Sequence, residues 1–226
     1  NNIFGFDNLN KFYSIKLKKK RLSNLKKNKN FKFFKIDLAD KKKLFYLFKQ
    51  KKIDIIFHFA AQAGVRYVST HPEKFIHSNI LGFHNLLSTS KEFNIKKFFY
   101  ASSSSVYGDS NKFPVDEKSK LSPKNIYGLS KKLNEEYIKI YSNEKTKYIG
   151  LRFFTVYGEW GRPDMLILKY LDYAKKNKTF YLNNAGDHWR DFTYIDDVTK
   201  ILTKLINKKF KKNEIYNICS NRPILI

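Results

Sequence analysis

Short apolar runs alternate with longer amphipathic segments along the first two thirds of the chain, and this alternation restricts the possible folds. The apolar runs are nearly continuous in hydrophobicity, as strands buried on both faces are. Strands alternating with helices indicate a parallel sheet covered on both sides, so we predict an α/β fold with a doubly wound parallel sheet. The predicted strands are Ile3–Asp7, Phe31–Ile36, Ile53–Phe59, Lys97–Ser102 and Tyr148–Phe153, with helices near Ile15–Lys26, Asp40–Lys51, Pro72–Phe93 and Ile126–Asn143.

The pattern changes near Thr155, where the strands become shorter and loop residues become frequent. The loops are marked by Gly158, Gly161, Pro163 and Gly186. Helices are predicted near Met165–Asn177 and Asp196–Asn207. We therefore divide the chain into a parallel-sheet domain, residues 1–154, and a smaller α/β lobe, residues 155–226, at the ligand end of the sheet.

Length and composition exclude several classes of protein. With 226 residues, 42% hydrophobic and 17% aromatic, the chain can bury one sizeable core and is not of the disordered class. No apolar run approaches the roughly 20 residues that a bilayer span needs. A single cysteine, Cys219, excludes a disulfide framework and a Cys-rich zinc site and favours a cytoplasmic location. We predict no metal site, because the histidines lack metal-ligand spacing: His58, His71, His77, His84 and His188.

The formal net charge of +25 invites an anionic partner, but its distribution argues against nucleic acid. Lysine supplies almost all of the positive charge. The six arginines are Arg21, Arg66, Arg152, Arg162, Arg190 and Arg222. The lysines are spread through the amphipathic segments and do not form one basic arm. We therefore predict no nucleic-acid partner, whereas an anionic small molecule is compatible with this charge.

The pair Tyr127 and Lys131 lies on a predicted helix with four-residue spacing, which places phenol and ammonium one turn apart on the same face. A nearby cation stabilises the phenolate and lowers the pKa of the tyrosine, which prepares it to act as a general base. A serine run, Ser102–Ser105, ends the preceding predicted strand. The alternative is chance, since a chain with 15 tyrosines and many lysines contains other such pairs.

Polar and small residues follow several of the predicted strands, where parallel sheets bind their ligands. Asp7 closes the first strand, and an acidic residue there accepts hydrogen bonds from an adenosine ribose, which favours NAD over NADP. The alternative for Asp7 is a cap or turn aspartate. Asp37 and Leu38 follow the second strand and are expected to flank the adenine. Phe59–Ala61 ends the third strand with small residues that allow close backbone approach.

The glycine-rich phosphate loop of dinucleotide folds is missing from the sequence, because the nine glycines form no G-x-x-G-x-x-G. That loop normally precedes the acidic residue by about 20 positions. We therefore expect the loop and the first strand to precede Asn1, and the chain to be truncated at both ends. On this expectation the 226-residue piece binds NAD weakly and is inactive by itself.

Taken together, several stretches resemble the extended short-chain dehydrogenase/reductase family of nucleotide-sugar epimerases and dehydratases. Within that family the resemblance is greatest to the epimerases that act on UDP-glucuronate. The stretches are Gly5–Asn10, Ala60–Tyr67, Ala101–Gly108, Tyr127–Lys131, Leu151–Met165 and Arg190–Asp197. They occur in the order of the family and span nearly the whole chain.

The resemblance implies a role for each matching residue. Tyr127 is implied to take the proton from the sugar 4-hydroxyl while hydride leaves C4 for NAD, Lys131 to tune Tyr127 and bind the nicotinamide ribose, and Ser103 to share the hydrogen bond to the 4-oxygen. The implied cofactor contacts are Asp7, Asn8, Asp37, Leu38, Phe59, Ala60, Ala61, Asn79, Tyr127 and Lys131. The implied substrate contacts are Ser104, Thr155, Arg162 and Arg190, with Arg162 facing the hexuronate carboxylate and Arg190 the diphosphate.

The resemblance also implies the organisation of the protein. Residues 1–154 become a Rossmann-type NAD-binding domain, and residues 155–226 become part of a substrate-binding lobe. A homodimer through the helices near residues 72–93 and 126–143 is expected. Three alternatives stay open: a UDP-glucose or related epimerase, a 4,6-dehydratase, and a non-catalytic basic binding protein on the same fold. The dehydratase is disfavoured because its relatives carry Asp-Glu where this chain has the serine run.

Overall fold

The strands of the first 154 residues form where the apolar runs predict them. The structure, a computed structural model, describes residues 2–64, 67–110 and 113–226, so Val65 and Arg66 of the Ala60–Tyr67 stretch lie outside the described residues. The five predicted strands are present within two residues of their expected bounds. They are β1 Ile3–Asp7, β2 Phe31–Lys35, β3 Ile55–His58, β4 Lys97–Ser103 and β5 Lys147–Phe153.

Later in the chain lie four further strands, β6 Thr155–Tyr157, β7 Trp189–Tyr194, β8 Glu214–Ile218 and β9 Pro223–Leu225. Strands β3, β4, β5 and β8 form one parallel sheet in that order, and β1 pairs with β2 in parallel. Strands β6, β7 and β9 form a small mixed sheet. Because β8 returns to the main sheet, the division at residues 154 and 155 stays a prediction.

Helices begin where a polar side chain can cap the first backbone N–H groups. Ser14 caps α1 Ile15–Leu25, Asp40 caps α2 Lys41–Gln50, and Asn125 caps α5 Ile126–Tyr141, each accepting from a backbone N–H three residues later. The remaining helices are α3 Pro72–Phe75, α4 Gly82–Glu92, α6 Leu166–Lys175 and α7 Ile195–Asn207. Within the described ranges, no helix is both long and apolar enough to cross a membrane.

The helix predicted over Pro72–Phe93 is interrupted, which corrects the sequence prediction. A π-helical segment, Ile76–Leu81, separates α3 from α4. Its Asn79 is buried and directs its side chain away from the helix to the backbone of Gln62. Such widened turns occur frequently at functional sites.

The core lies on both faces of the main sheet, which confirms the doubly wound arrangement. Successive residues of a strand point to opposite faces, so β4 sends Phe98 and Tyr100 to one side and Phe99 to the other. The first side packs against α2, α4 and α5, whereas Phe99 joins Val198 of α7 and Phe210 in a second cluster. Each such side chain contributes about 1.5–3 kcal/mol when fully buried.

A buried ion pair joins the central strands to α5. Arg152 on β5 donates to both carboxylate oxygens of Glu135, from Nε at 3.0 Å and from Nη2 at 2.7 Å, with the side chains 3% and 0% exposed. Ser102 on β4 donates to the same carboxylate at 2.5 Å, and Arg152 Nη1 donates to the Tyr107 hydroxyl at 2.8 Å. Buried charges are tolerated when they are paired and hydrogen-bonded in this way.

The ion pair yields a stability prediction. Changing Glu135 to Ala (Glu135→Ala) leaves the Arg152 guanidinium buried without its counter-charge, so we expect a loss of about 3–5 kcal/mol in the free energy of unfolding. Denaturant unfolding monitored by circular dichroism measures it. Glu136→Ala is the matched control, because Glu136 is 43% exposed and pairs with Lys139 at the surface. We expect the control to lose about 0–1 kcal/mol, and equal losses in the two variants would contradict the prediction.

Candidate active site

Tyr127 and Lys131 lie one turn apart on α5, as their spacing predicts. Asn125 begins the helix by accepting a hydrogen bond from the Gly128 N–H at 2.8 Å. The Lys131 ammonium lies 5.8 Å from the centroid of the Tyr127 ring. Gly128 lets α5 approach the serine run closely, because a Cβ at this position would lie 2.5 Å from the Ser105 carbonyl oxygen. The contact between helix and serine run therefore requires glycine.

Ser103 ends β4 with its hydroxyl close enough to the Tyr127 phenol to favour the phenolate and lower the pKa of Tyr127. The Ser103 hydroxyl also accepts a hydrogen bond from the Ser105 N–H at 3.1 Å, which fixes the start of a short 3₁₀ turn, Ser104–Val106. Ser104 begins this turn directly after Ser103. The structure thus brings Ser103, Tyr127 and Lys131 together.

The electrostatics of Tyr127 differ from the sequence prediction. Burial raises the pKa of Tyr127, and the hydrogen bond from Ser103 and the positive charge of Arg162 offset part of that rise. The expectation that Lys131 lowers the pKa of Tyr127 was wrong. The pKa is raised, and the cation that opposes the rise is Arg162 and not Lys131. Desolvation outweighs charge here.

Lys131 is itself desolvated, with 1% of its surface exposed. Burial lowers its pKa to about 8. In the part of the chain that the structure describes, no carboxylate forms an ion pair with it. Burial, and then the nearby Lys131 charge, lower the pKa of His58 to about 3, so His58 is neutral at physiological pH. The site therefore holds an ammonium with no protein counter-charge.

Asn79 is buried, and both the oxygen and the nitrogen of its side-chain amide form hydrogen bonds. Its Oδ1 accepts from the Gln62 N–H at 2.8 Å, and its Nδ2 donates to the Gln62 carbonyl at 3.0 Å and to the Ser130 hydroxyl at 3.1 Å. Ser130 in turn donates to the Tyr127 carbonyl at 2.7 Å. The cofactor contact implied for Asn79 stays a prediction, and the contacts it makes tie α5 to the loop after β3.

A cleft at the carboxyl ends of β1, β2 and β3 gathers most of the predicted cofactor residues. Its lining includes Asp7, Asn8, Asp37, Leu38, Phe59, Ala60 and Ala61, together with Arg162 from the second half of the chain. This is the edge of a parallel sheet at which ligands bind. The resemblance predicted these residues as one group, and the structure places them around one cleft.

The residues at this cleft fit the adenosine end of NAD. Asp7 accepts the Leu9 N–H at 2.5 Å through Oδ1, as the turn alternative predicted, while Oδ2 has no hydrogen-bond partner among the described residues. That oxygen is available for a ribose hydroxyl. Asn8 donates to Asp37 at 2.8 Å, which fixes the two loops against each other. Ala60 and Ala61 present little side chain to the cleft.

Arg162 lines the cofactor cleft from the loop after β6. Its guanidinium carbon is 5.7 Å from the centroid of the Phe12 ring, and its Nε donates to Asp164 at 2.5 Å. Its positive charge also opposes the rise in the pKa of Tyr127. A forked cation at this position suits a planar carboxylate of a ligand.

Thr155 and Arg190 lie away from this cleft. Thr155 begins β6 and lines a second, mainly apolar cleft between the small sheet and α6. Arg190 is exposed on β7, where its Nη1 donates to the Trp189 carbonyl at 3.0 Å. The physical reason is that both belong to the β6–β7–β9 sheet, which contributes no residue to the cofactor cleft.

The sequence analysis missed several residues of the cofactor cleft, including Phe12, Lys18 and Ser78. Lys18 is buried and donates to the backbone and the side chain of Asn10 at 3.0 and 2.8 Å. Burial lowers its pKa. Nothing in the lysine-rich α1 distinguishes Lys18 by pattern. Among the residues that the structure describes, no cluster of three or more potential metal ligands is present.

The desolvated Lys131 yields a prediction that links stability to pH. Burial disfavours the charged form of Lys131 in the folded protein. Between pH 8 and 10.5 the Lys131 amine is therefore protonated in the unfolded chain and largely neutral in the folded protein. Because the unfolded state binds more protons in this window, the free energy of unfolding rises with pH across it. Lys131→Met removes the penalty, and we expect it to raise the free energy of unfolding at pH 7 by about 3–4 kcal/mol, at about 1.4 kcal/mol for each pKa unit. Urea unfolding at several pH values measures this.

The matched control for Lys131→Met is Lys139→Met, on the same helix with a side chain 60% exposed. We expect little change in its stability at any pH. If Lys131→Met is less stable than the parent at pH 7, the ammonium does not carry the penalty inferred from its burial.

Comparison with known proteins identifies the family. Residues 3–219 match the NAD dependent epimerase/dehydratase family. The chain is 37% identical over 241 residues to Protein CapI of Staphylococcus aureus, covering 98% of this chain and 72% of that protein. It is 41% identical over 204 residues to UDP-glucuronate 4-epimerase 4 of Arabidopsis thaliana, covering 88% of this chain and 46% of that protein.

A solved structure gives the same result. UDP-glucuronic acid 4-epimerase from Bacillus cereus, in complex with UDP-glucuronic acid and NAD, superposes with a TM-score of 0.92 at 29% identity. The alignment covers 100% of this chain and 71% of that one. With the cleft and the Ser103, Tyr127 and Lys131 group, these matches show that the chain belongs to the NAD dependent epimerase/dehydratase family, whose members are NAD-dependent enzymes.

Proposed function

We propose that the protein interconverts UDP-glucuronate and UDP-galacturonate by NAD-dependent epimerisation at C4. The observation that carries this proposal is the group formed by Ser103, Tyr127 and Lys131 with Arg162 beside it. The likeness to UDP-glucuronate 4-epimerases of plants and bacteria supports the choice of sugar. Because the chain spans about half of the plant proteins' length, the activity of the whole protein is part of this proposal.

Tyr127 is the proposed base. It takes the proton from the sugar 4-hydroxyl as C4 becomes a ketone, and it returns the proton when the alcohol re-forms on the opposite face. Ser103 shares the hydrogen bond to the same oxygen. NAD, when bound, accepts the hydride from C4 and gives it back, so there is no net oxidation.

The cofactor is proposed to bind along the cleft described above. Asp7 accepts from the adenosine ribose, and Asp37 and Leu38 flank the adenine. The small side chains of Ala60 and Ala61 allow close backbone approach. Lys131 donates to the nicotinamide ribose, and a bound polar partner would offset the desolvation of its ammonium.

Arg162 is proposed to recognise the sugar by pairing with the hexuronate carboxylate. Holding this group has a chemical purpose, because a 4-keto uronate is a β-keto acid that can lose CO₂. Arg190 is proposed to meet the diphosphate, and Ser104 and Thr155 to contact the substrate.

The assembly and location are proposed from surface chemistry. Apolar side chains are exposed on the π segment and along α5: Ile76 at 60%, Leu81 at 45%, Leu129 at 45%, Leu133 at 47% and Ile140 at 86%. These fit a homodimer through the two helices.

The single free Cys219 supports a cytoplasmic location.

The substrate proposal is tested by incubating the full-length protein with UDP-glucuronate and NAD and following the anomeric signals of the sugar by NMR. We expect galacturonate signals to appear until the two epimers reach equilibrium. UDP-glucose is the control substrate, since it lacks the carboxylate that Arg162 is proposed to bind. Turnover of UDP-glucose without turnover of UDP-glucuronate would contradict the choice of sugar.

The role of Tyr127 is tested with Tyr127→Phe in the same assay. Removing the hydroxyl removes the proton acceptor, so we expect turnover to fall by about 10²–10⁴-fold, the usual contribution of a general base. NAD affinity, measured by calorimetry, is expected to change little. Turnover near the parent rate would remove Tyr127 from this role.

The homodimer is tested by analytical ultracentrifugation of Leu133→Glu. A carboxylate in the centre of the exposed apolar face is expected to shift the protein from dimer to monomer. Tyr46→Glu is the control, since Tyr46 is 63% exposed on α2, outside the proposed interface. A parent protein that sediments as a monomer would show that this face has another purpose.

A further inference from the structure

Arg21 on α1 reaches across to the loop that carries Arg162. Its Nη2 donates a hydrogen bond to the Gly161 carbonyl at 2.8 Å, between residues 140 positions apart in sequence. Gly161 directly precedes Arg162, and α1 follows the end of β1 that carries Asp7. The Arg21 guanidinium therefore joins the cofactor side of the cleft to the loop that carries Arg162, the residue proposed to bind the sugar carboxylate.

The Arg21 side chain is held in one orientation. Its Nη1 donates to the Tyr13 hydroxyl at 2.6 Å, and its guanidinium carbon lies 5.2 Å from the Tyr13 ring centroid. Its Nε is buried without a hydrogen-bond partner among the described residues. A half-buried guanidinium that donates hydrogen bonds in two directions is held in place, unlike a mobile surface charge.

The loop around Arg162 is closed by a backbone hydrogen bond of its own. The Gly161 N–H donates to the Gly158 carbonyl at 3.2 Å, which closes a turn containing Trp160 at a φ of 61°. Two further contacts of this loop with the cofactor side are the Lys20 ammonium 5.8 Å from the Trp160 ring and the Arg162 guanidinium over the ring of Phe12. Neither of these contacts fixes an angle as a hydrogen bond does, so Arg21 supplies the directed contact.

We propose that Arg21 is a positioning residue that sets sugar preference, because its bond to Gly161 fixes where Arg162 meets the hexuronate carboxylate. This inference rests on the proposed function. Recognition of a carboxylate by a guanidinium depends on alignment of the two planar groups. The uridine diphosphate part of the substrate has no carboxylate, so its binding does not depend on this alignment. Loss of the hydrogen bond from Arg21 to Gly161 therefore weakens binding of UDP-glucuronate more than binding of UDP.

The experiment uses the full-length protein and measures the Kd of UDP-glucuronate and of UDP by calorimetry, with NAD present, for the parent and for Arg21→Met. We expect the Kd of UDP-glucuronate to rise about tenfold, of the size that a charge-assisted hydrogen bond contributes, and the Kd of UDP to change less than about twofold. Tyr13→Phe removes only the hydroxyl that orients Arg21. It is expected to give a smaller change in the same direction, and it keeps the test decisive if Arg21→Met does not fold.

Lys19→Met is the matched control, since Lys19 is an exposed cation on the same helix. It removes the same charge without a contact to the loop, and we expect both Kd values to stay at the parent level. Equal weakening of UDP and UDP-glucuronate by Arg21→Met would assign Arg21 a purely structural role and overturn the inference, as would no change in either. A parent protein that binds UDP-glucose as tightly as UDP-glucuronate would overturn the proposed sugar, and the inference with it.

Discussion

The ion pair between Glu135 and Arg152 is the interaction on which the geometry of the site depends. Two charges removed from water are stable only when each is paired and their remaining hydrogen-bonding groups are satisfied, and Ser102 and Tyr107 complete that requirement. Ser102 directly precedes Ser103, and Glu135 lies one helical turn beyond Lys131. The pair therefore fixes the strand that ends in the serine against the helix that carries the tyrosine and the lysine.

The sequence predicted the parts of the fold that hydrophobic patterning controls. Strand positions, the parallel sheet and the cleft at its carboxyl edge follow from apolar runs and from the residues that come after them. Side chains that bridge distant segments escaped prediction. Arg21 and Lys18 look like solvent-facing cations in an amphipathic helix, and only the folded chain shows that Arg21 reaches Gly161 and that Lys18 is buried.

The electrostatic expectation for Tyr127 failed for a related reason. Spacing along a helix gives the distance between a phenol and an ammonium, but it gives no measure of how far either is from water. Burial raises the pKa of Tyr127 and lowers that of Lys131, so both side chains are pushed toward their neutral forms. The cation that opposes this on the phenol, Arg162, comes from a loop 35 positions further along the chain, beyond any local motif.

The π segment between α3 and α4 has a consequence for the phase of the helix. A π turn holds about one residue more than an α turn, so the residues after it are rotated by about 100° relative to an unbroken helix. Phe83, Leu86 and Leu87 face the core in this rotated frame. Deleting one residue between Ile76 and Leu81 would restore a regular helix and turn those three side chains away from the sheet. The extra residue that lets Asn79 reach Gln62 is thus also the one that keeps the second half of the helix in register with the core.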